Sequence, residues 1–452
     1  MSFPRYPKYK DSGVEWLAEV PEHWECTALK RLVDSRRPIT YGIVQAGPNI
    51  IEGVPYIRPA DMMDEKGVVS SERLLRTSKD IAEAYMRSTI QPGDIVCSIG
   101  PSFGKVMITP QCLAGANLTQ GTARVAVRPD QCARYVFWAL RSDASVAQWE
   151  SRVGGATFRA LNLGPLAETA IPIPSLREQT AIAAFLDRET AKIDALIAEQ
   201  QRLIELLQEK RQAVISHAVT KGLNPDAPMK DSGIEWLGEV PEHWEVVRLK
   251  HLIETGTSIS YGIVQPGDPL DGGVPFVQTT NMTSGDFALK LLQRTSTEIA
   301  SQYPRSTLKG GEVLLGIRAS IGAAHVVPNS LAGANLSRGV ARIVPNIKIE
   351  SSFLVAALRS DVTFTYWGLS QQGSTFNEVS IATVKELSIA VPPRDEQHEI
   401  TKFVRVESER LDSLIAEAEQ AITLLQERRS ALISAAVTGQ IDVRGLAGSE
   451  AA

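Results

Sequence analysis

The stretch "KDSGVEWLAEVPEHWE" at residues 10–25 returns almost unchanged at residues 230–245 as "KDSGIEWLGEVPEHWE". Three further shared motifs follow in the same order. They are "YGIVQ" (41–45 and 261–265), "LAGANL" (113–118 and 331–336), and "LIAEQQRLIELLQEKR" (196–211) against "LIAEAEQAITLLQERR" (414–429). Self-similarity at a fixed spacing indicates a repeat architecture. The whole chain is therefore one segment of about 220 residues, present twice in tandem.

Length, composition and charge narrow the classes of protein to which the chain can belong. With 452 residues, 43% of them hydrophobic, it is long enough for two to four domains, because single cores rarely grow beyond about 250–300 residues. It has no apolar run long enough to span a bilayer, and its first residues lack the apolar core of a signal peptide. We therefore expect a cytoplasmic protein without a membrane partner. The net charge of −5 disfavours a protein that binds nucleic acid unaided.

The cysteines predict neither a disulfide framework nor a metal site, because no two of them form a C-x-x-C pair. They are Cys26, Cys97, Cys112 and Cys132. Their counterparts in the second copy are Val246, Leu315, Ser330 and Glu350. A thiol that a shared site required would be present in both copies, so we interpret the cysteines as reduced structural thiols.

Each copy combines a strand-rich part with one long helix. Residues 10–173 and 230–391 alternate short apolar runs with Gly, Pro, Asn and Asp, which is typical of short strands and turns. No Gly or Pro interrupts residues 178–219 or 396–437, and apolar residues recur there at three- and four-residue steps. Ser175 lies three residues before Glu178, a spacing that fits a capping box at the start of the first helix.

We therefore predict an α+β protein of two tandem mixed α/β domains, joined and followed by long helices, with internal pseudo-two-fold symmetry. The predicted segments are a first mixed domain (1–175), a first helix (176–222), a second mixed domain (223–393), a second helix (394–440) and a flexible tail (441–452).

A helix of this length would extend about 63 Å, and its apolar stripe needs a packing partner. The best candidate is the other long helix, which would make an antiparallel two-helix coiled coil. The alternative is two ordinary long helices, each buried against its own domain. The residues assigned to the coiled-coil interface are Ile193, Leu196, Leu203, Leu207, Leu411, Leu414 and Leu425.

The sequence lacks the motifs of the common catalytic classes. No two glycines are separated by a single residue, so no dinucleotide-binding fingerprint can be placed. "GPSFGKV" at 100–106 is one residue too short for a phosphate loop and has Val106 where Ser or Thr is required. "HEITK" at His398 has no second histidine one turn later, which excludes a two-histidine zinc site. We therefore predict a non-catalytic chain with neither a metal nor a cofactor.

The order of the repeated motifs resembles a known family. "YPKYKDSGVEWLAEVPEHWE" (6–25), "LAGANLTQGTARV" (113–125), "GSTF" (373–376) and the paired helix segments closely resemble the specificity subunit of type I restriction-modification enzymes. The resemblance covers nearly the entire chain and keeps the motif order in both copies, which makes it more specific than any single motif.

This resemblance implies two target-recognition domains, each reading one half of a bipartite sequence in double-stranded DNA. It also implies a non-catalytic subunit that docks two methyltransferase subunits and, through them, restriction subunits. Two other classes remain open from the sequence. One is a coiled-coil scaffold without sequence-specific DNA binding, and the other is a self-sufficient modification or cleavage enzyme.

Comparison of the two copies separates positions that maintain the shared structure, called the frame, from residues that could contact bases. Arg suits guanine in the major groove, whereas Gln and Asn suit adenine, so differences of this kind at equivalent positions mark candidate DNA contacts. The candidates are Arg58 opposite Gln278, Asp61 opposite Asn281, Gln120 opposite Arg338, Lys105 opposite Ala323, and Arg318 opposite Gly100.

Residues that the copies share receive a different interpretation. Tyr41, Gln45, Tyr261 and Gln265 serve either as frame residues or as shared DNA contacts, and the sequence does not separate the two. The repeated aromatic residues Trp16, Trp24, Trp236 and Trp244 are expected to be apolar anchors. His23 and His243 are expected to bridge local backbone groups rather than to bind a metal.

Overall fold

The computed structural model describes residues 3–68, 70–153, 160–285, 287–370 and 378–445. The chain forms two compact units. Unit 1 comprises residues 1–200 and 420–452, and unit 2 comprises residues 201–419. Each unit therefore contains one strand-rich part and a segment of each long helix, whereas the sequence predicted helices separate from the mixed domains.

The strands of the first repeat are β1 (Tyr9–Asp11), β2 (Glu19–Pro21), β3 (Glu25–Ala28), β4 (Thr40–Tyr41), β5 (Val54–Ile57), β6 (Arg76–Thr77), β7 (Ile95–Ser98), β8 (Val106–Ile108), β9 (Asn117–Leu118), β10 (Thr122–Val125) and β11 (Ala170–Ile173). Its helices are α1 (Lys79–Ala84), α2 (Ala133–Leu140), α3 (Asp143–Arg152), α4 (Leu163–Ala167) and α5 (Leu176–Lys221). Single 3₁₀ turns lie at Leu29–Arg31, Asp64–Lys66, Ser71–Arg73, Met86–Ser88 and Gln111–Leu113.

The strands of the second repeat are β12 (Met229–Asp231), β13 (Glu239–Pro241), β14 (Glu245–Arg248), β15 (Ser260–Tyr261), β16 (Val274–Val277), β17 (Arg294–Thr295), β18 (Val313–Gly316), β19 (Ala324–Val326), β20 (Asn335–Leu336), β21 (Val340–Ile343) and β22 (Ser388–Val391). Its helices are α6 (Thr279–Ser284), α7 (Thr297–Ser301), α8 (Ser351–Leu358), α9 (Asp361–Ser370), α10 (Ile381–Glu386) and α11 (Arg394–Val437). Single 3₁₀ turns lie at Leu249–His251, Pro304–Ser306 and Asn329–Leu331. None of the helices within the described residues has an apolar segment that would cross a bilayer.

Both repeats have the same sheet topology. A four-stranded antiparallel sheet has the order β4-β10-β7-β8 in the first and β15-β21-β18-β19 in the second. A three-stranded sheet, β6-β5-β9 or β17-β16-β20, contains one parallel pair. The segments 6–24 and 226–244, called the lead-ins, each form a small antiparallel pair, β1 with β2 or β12 with β13. The strand after each lead-in pairs with the last strand of its repeat. The predicted tandem mixed α/β domains are therefore confirmed.

The four-stranded sheet of each unit lies between two hydrophobic cores. Successive side chains of a strand point to opposite faces, so Ile95 and Cys97 join the larger core of unit 1 and Val96 joins the smaller one. In unit 2 the same alternation places Val313 and Leu314 in different cores. Because both faces are covered, these strands read as continuous apolar runs rather than as alternating ones.

Each unit closes its larger core with segments of α5 and α11 that run antiparallel. In unit 1, Arg429 of α11 pairs with Asp194 of α5 at 2.9 Å. In unit 2, Arg211 of α5 pairs with Asp412 of α11 at 3.4 Å. The second pair lies later in α5 and earlier in α11 than the first, which is the order expected of the predicted antiparallel helices.

The residues assigned to the coiled-coil interface divide into two groups. Ile193, Leu207 and Leu411 are buried, and Leu425 packs against the core of unit 1. Leu196, Leu203 and Leu414 are instead 44%, 42% and 40% exposed. An apolar stripe with both three- and four-residue steps is wider than the seam between two helices, so its outer residues stay at the surface.

Each lead-in is fastened to the first turn of a long helix. Nε2 of His23 lies 3.0 Å from Oε1 of Glu178, and Nε2 of His243 lies 2.8 Å from Oε2 of Glu396. The expectation that these histidines bridge local backbone groups is wrong, because their partners lie 155 and 153 residues away in the sequence. Oγ of Ser175 accepts the amide N–H of Glu178 at 3.3 Å, which is the N-cap bond that the sequence predicted.

The four repeated tryptophans do not share one environment. Trp24 and Trp244 are fully buried, as expected of apolar anchors. Trp236 packs against Tyr366, with 5.1 Å between the ring centroids. Trp16 is 39% exposed, so it does not anchor the first lead-in as expected. The buried member of each pair is the one that follows the histidine.

The lead-ins also meet the ends of the long helices. Gly222 and Gly439 follow α5 and α11 with φ of +77° and +76°, the left-handed conformation that favours glycine at a helix end. A Cβ on Gly439 would lie 2.3 Å from Cδ of Pro21, and one on Gly222 would lie 3.2 Å from the ring of Trp244. The first lead-in therefore contacts the end of α11 as the second lead-in contacts the end of α5.

Residues beyond α11, which the sequence analysis assigned to a flexible tail from 441, pack against unit 1 as far as they are described. Val443 is fully buried, and the amide of Asp442 donates to the carbonyl of Pro4 at 2.7 Å. The guanidinium of Arg444 lies 4.8 Å from the centre of the Tyr6 ring. Residues 446–452 lie outside the described residues.

The Glu178 contact makes the stability of unit 1 depend on pH. Burial alone raises the pKa of this carboxyl group, but hydrogen bonds from His23 and Ser175 outweigh burial and leave its pKa below the ordinary value of 4.5. The carboxylate therefore stabilises the fold above that pH, and the contribution is lost as the pH falls through the folded pKa. We predict that Glu178→Gln lowers the free energy of unfolding by about 2 kcal/mol at pH 7 and by progressively less below about pH 4.5.

Urea unfolding of both proteins from pH 7 to pH 3 checks this prediction. Glu22→Gln is the control, because the Glu22 side chain is 62% exposed and lies 3.8 Å from Lys8. Its effect should stay below about 0.5 kcal/mol. A Glu178→Gln effect of the same size at every pH would contradict the prediction.

Candidate nucleic-acid interface

Four loops of unit 1 converge beside the ends of the central strands. This surface, called the loop edge of unit 1, comprises residues 41–45, 58–62, 99–105 and 119–121. The amide of Ile43 donates to the carbonyl of Leu118 at 2.7 Å, and the amide of Ile99 donates to the carbonyl of Gly121 at 2.8 Å. These backbone bonds bring the candidate residues of the first copy to one surface.

Unit 2 has an equivalent loop edge, which comprises residues 261–265, 278–282, 317–323 and 337–339. The amide of Ile263 donates to the carbonyl of Leu336 at 2.6 Å, and the amide of Ile317 donates to the carbonyl of Gly339 at 2.9 Å. The same frame therefore carries different side chains in the two copies.

The shared "YGIVQ" motif contains both frame residues and exposed residues. A Cβ on Gly42 would lie 1.9 Å from the carbonyl oxygen of Leu118, and one on Gly262 would lie 1.8 Å from that of Leu336, so only glycine fits. The tyrosines before these glycines project outward instead. Tyr41 is 36% exposed and Tyr261 is 47% exposed. Gln45 and Gln265 are exposed as well.

Arg58 and Asp61 form one structural element at the loop edge of unit 1. Nε of Arg58 donates to Oδ2 of Asp61 at 2.9 Å, and NH2 donates to Oδ1 at 2.7 Å. These hydrogen bonds raise the pKa of Arg58 above its ordinary value. The carboxylate fixes the guanidinium, whose side chain remains 42% exposed, so a charged and positioned donor group faces solvent.

The counterpart in unit 2 keeps the backbone arrangement and changes the chemistry. Oδ1 of Asn281 accepts the amide N–H of Gln278 at 2.9 Å, as Oδ2 of Asp61 accepts that of Arg58 at 2.9 Å. Nε2 of Gln278 donates to Oε1 of Gln293 at 3.1 Å. Positions 61 and 281 are therefore turn caps in both copies, whatever else they contact.

Two further candidates, Lys105 and Gln120, lie at the loop edge of unit 1 and differ in how firmly their side chains are held. Nζ of Lys105 donates to the carbonyls of Pro59 and Met62 at 3.0 and 2.8 Å, so this lysine holds the loop that carries Arg58. Gln120 is exposed and lines a cavity of about 460 Å³ together with Tyr41.

Two arginines of unit 2 flank one carboxylate. Nε of Arg318 lies 4.0 Å from Oε2 of Glu378, and NH2 of Arg338 lies 3.6 Å from the same oxygen. Their side chains are 49% and 48% exposed. The "GSTF" motif at 373–376, which precedes Glu378, lies outside the described residues.

Sequence reasoning missed a cluster of arginines beside Tyr41. This arginine groove, of about 930 Å³, is lined by Arg36, Arg37, Arg87 and Arg124. Arg124 is only 4% exposed, and its NH1 and NH2 donate to backbone carbonyls of Thr89 and Pro38 at 3.0 and 3.3 Å. Among the described residues its Nε has no hydrogen-bond partner. The paired arginines just before "PITYG" were the available signal.

In the second copy a glutamate pairs with the counterpart of Arg124. Nε and NH2 of Arg342, the counterpart of Arg124, donate to Oε1 of Glu312 at 3.1 and 2.9 Å. Burial raises the pKa of Glu312, but the Arg342 and backbone hydrogen bonds outweigh it and leave the pKa below its ordinary value. Positions 36 and 37 are occupied there by Gly256 and Thr257. Arg87 and Arg124 have counterparts in Arg305 and Arg342, so only Arg36 and Arg37 of the arginine groove are specific to unit 1.

Neither a metal cluster nor a disulfide is seen in the part of the chain that the structure describes. Among the described residues no group of three or more His, Cys, Asp or Glu side chains is placed to hold a metal ion. All four cysteines are free, and burial raises the pKa of Cys97 to about 12, so that thiol stays protonated at neutral pH.

Comparison with known proteins identifies a family. The family model described as "Type I restriction modification DNA specificity domain" matches residues 21–206 and again residues 241–423. The specificity subunit of the type I restriction enzyme EcoBI from Escherichia coli is 28% identical over 440 residues, which cover 95% of this chain and 89% of the relative. The putative type I restriction enzyme MjaX specificity subunit from Methanocaldococcus jannaschii is 25% identical and covers 95% of this chain and 96% of its own.

Solved structures show the same fold. A chain from a study of complex assembly and conformational transition of the type I R-M system superposes with a TM-score of 0.67 at 18% identity, covering 92% of this chain and 98% of its own. The HsdS subunit of Thermoanaerobacter tengcongensis superposes with a TM-score of 0.51 at 17% identity, covering 93% of this chain and 98% of its own.

Proposed function

We propose, from the premise that this chain belongs to the type I restriction-modification DNA specificity family, that its two loop edges each read one half of a bipartite DNA sequence. The chain is the DNA-recognition component of a restriction-modification system and does not itself catalyse modification or cleavage. The observation that carries the proposal is the pair of equivalent loop edges, which share a backbone frame and differ in the exposed side chains. The alternative of a scaffold without sequence preference is not favoured by the family.

The partners follow from the same premise. Double-stranded DNA is the ligand, two methyltransferase subunits dock on the chain, and restriction subunits join through the complex. A net charge of −5 is compatible with this role, because the partner subunits can supply most of the phosphate contacts. Since chromosomal DNA is cytoplasmic in cells such as those of the relatives, we place the chain in the cytoplasm.

Base reading is assigned first to Arg58 and Gln278. A guanidinium held by Asp61 loses little freedom on binding guanine, whose O6 and N7 accept two hydrogen bonds. Gln278 occupies the equivalent backbone position and presents an amide, which suits adenine. Gln120, Arg318 and Arg338 are further candidates at the two edges, with Tyr41 and Tyr261 beside them.

The arginine groove is assigned to the DNA backbone. It has four guanidinium groups and lies beside the exposed Tyr41, and phosphate contacts position a protein on DNA without reading its sequence. Arg37 is already paired with Asp94, and Arg36 with Asp34, whereas Arg87 is exposed. Arg87 is therefore the side chain best placed to reach a phosphate.

A swap of one recognition domain tests the proposed function. Replacing residues 230–391 with the equivalent region of a related specificity subunit should change one half of the methylated sequence and leave the other half intact. Methylome mapping of cells that contain the chimaera with its methyltransferase subunit gives the answer. A change in both halves would show that the two domains do not read independently.

Single substitutions test the base contacts. Arg58→Ala and Gln278→Ala should each relax the preference at one half-site, by about 1–3 kcal/mol for each base contact that is lost. The unaltered half-site in each variant is the internal control. Binding of the assembled complex to duplexes with single base changes measures the effect. Unchanged preference in both variants would show that these residues have a structural role and do not contact bases.

A phosphate contact should behave differently from a base contact. Arg87→Ala should weaken binding to every duplex alike and reduce the slope of log affinity against log salt by about 1. Lys8→Ala removes the same charge from an exposed lead-in side chain and serves as the control. A sequence-dependent loss for Arg87→Ala, or an unchanged slope, would remove the arginine groove from the DNA interface.

A further inference from the structure

Unit 2 contains a groove, and the equivalent place in unit 1 is occupied by side chains of unit 1 itself. This helix groove, of about 680 Å³, lies between α8, β19 and the segments of α5 and α11 that belong to unit 2. Buried Ile215 and Ala356 line it together with Val355, and so do the charged side chains of Arg359 and Arg405. Arg405 pairs with Glu409 of the same helix at 3.3 Å and is 65% exposed, so the groove opens to solvent.

The equivalent positions in unit 1 show what such a groove accommodates. Ala356 corresponds to Trp138, which is 1% exposed, and Arg405 corresponds to Asp187. Nε1 of Trp138 donates to Oδ1 of Asp187 at 2.7 Å, and Nε of Arg134 donates to the same oxygen at 2.7 Å. In unit 1 an indole ring and a carboxylate therefore occupy this place.

A second carboxylate completes the arrangement in unit 1. Glu65 forms ion pairs with Arg429 and with Arg141, the latter at 3.4 Å between Nε and Oε2. These arginines correspond to Arg211 and Arg359 of unit 2. The acids that follow Met62 have no match among the described residues of unit 2, where Thr283, Ser284 and Gly285 follow Met282. The next residue, Asp286, lies outside the described part of the chain.

Among the described residues, Arg211 and Arg359 of unit 2 consequently have fewer acidic partners than Arg429 and Arg141 of unit 1. NH2 of Arg359 lies 3.1 Å from Nδ1 of His325 instead of a carboxylate, and burial lowers the pKa of both side chains. Arg211 lies 3.4 Å from Asp412, and its Nε has no hydrogen-bond partner among the described residues. Each half-buried guanidinium retains donor capacity that an incoming carboxylate can use.

The charges that line the helix groove are unequal in sign. The positive side chains are Arg211, Arg359, Lys402 and Arg405, and the negative ones are Glu409 and Asp412. An excess of positive charge around a partly exposed apolar surface favours a ligand that offers both carboxylates and an apolar group.

We propose that the helix groove is the docking site for an acidic peptide segment of a partner protein, and that this segment carries a large aromatic side chain. The aromatic ring takes the place that Trp138 fills in unit 1, and the carboxylates take the places of Asp187 and Glu65. Duplex DNA would satisfy the charges but offers no apolar side chain to cover Val355 and Val326, which is 38% exposed. The proposal does not rest on the reading of DNA by the loop edges.

Fluorescence anisotropy with the full-length chain tests this proposal. The probe is a fluorescein-labelled peptide that contains one tryptophan flanked on both sides by glutamates. Arg405→Asp, which copies the residue found in unit 1, should weaken binding about tenfold or more, because it replaces a charge-assisted contact by repulsion. Ala356→Trp, which refills the groove, should abolish binding. Peptides with glutamine for glutamate, or alanine for tryptophan, should also bind at least about tenfold more weakly.

Arg410→Asp is the matched control, because it makes the same change on the same helix at a side chain that is 71% exposed and does not line the groove. Thermal unfolding shows whether Ala356→Trp is folded, and the exposed Arg405→Asp keeps the test decisive if it is not. Equal binding of the glutamine peptide, or no binding of the glutamate peptide up to about 1 mM, would overturn the proposal. So would competition by a random duplex whose own binding is weakened by Arg405→Asp, since the groove would then be a nucleic-acid contact.

Discussion

The structure depends on the antiparallel arrangement of α5 and α11, because neither unit completes its core without both helices. The larger core of unit 1 contains Ile193 of α5 together with Ile433 and Val437 of α11 and Val443 beyond it. The first repeat therefore cannot bury its apolar surface without the last part of α11 and Val443, and the loss of those residues would expose Trp24 and its neighbours. Unit 2, by contrast, lies in one continuous stretch of sequence.

The duplication also shows which contacts form the frame, because these contacts recur in both units. Asn117 and Asn335 are buried, and each amide nitrogen donates to a carbonyl in the last turn of a short helix, at 3.2 and 3.3 Å, while the side-chain oxygen accepts a serine hydroxyl. Such a buried amide is expensive to lose, because its partners would be left unsatisfied. Contacts of this kind recur in both units although the loop edges differ. The frame is therefore held by buried polar groups and close backbone approaches, which leaves the exposed positions free to diverge without loss of the fold.

Much of this architecture was predictable, and the part that was not has a common cause. Helix periodicity and the Ser175 cap located α5, and the repeated motifs identified equivalent loops, because these signals are local in sequence. The pairing of His23 with Glu178 was missed because it joins groups far apart in the chain, and the arginine groove was missed because its members come from three separate segments. Exposure of Leu196 and Leu203 escaped prediction for a related reason, since periodicity shows that a face is apolar but not how much of it a partner covers.

The divergence of the two units is greatest where charge meets apolar surface. In unit 1 the Trp138 ring is enclosed by Arg134, Asp187 and Arg429, so opposite charges are satisfied within the chain. In unit 2 the ring is absent, Asp187 has become Arg405, and half-buried Arg359 faces a histidine. Deleting a large buried side chain and its countercharge normally costs stability, through both the cavity and the unpaired charge. A repeat that tolerates both changes at one place has either lost stability there or uses the place for contact with another molecule. The positive lining and open mouth of the groove favour contact.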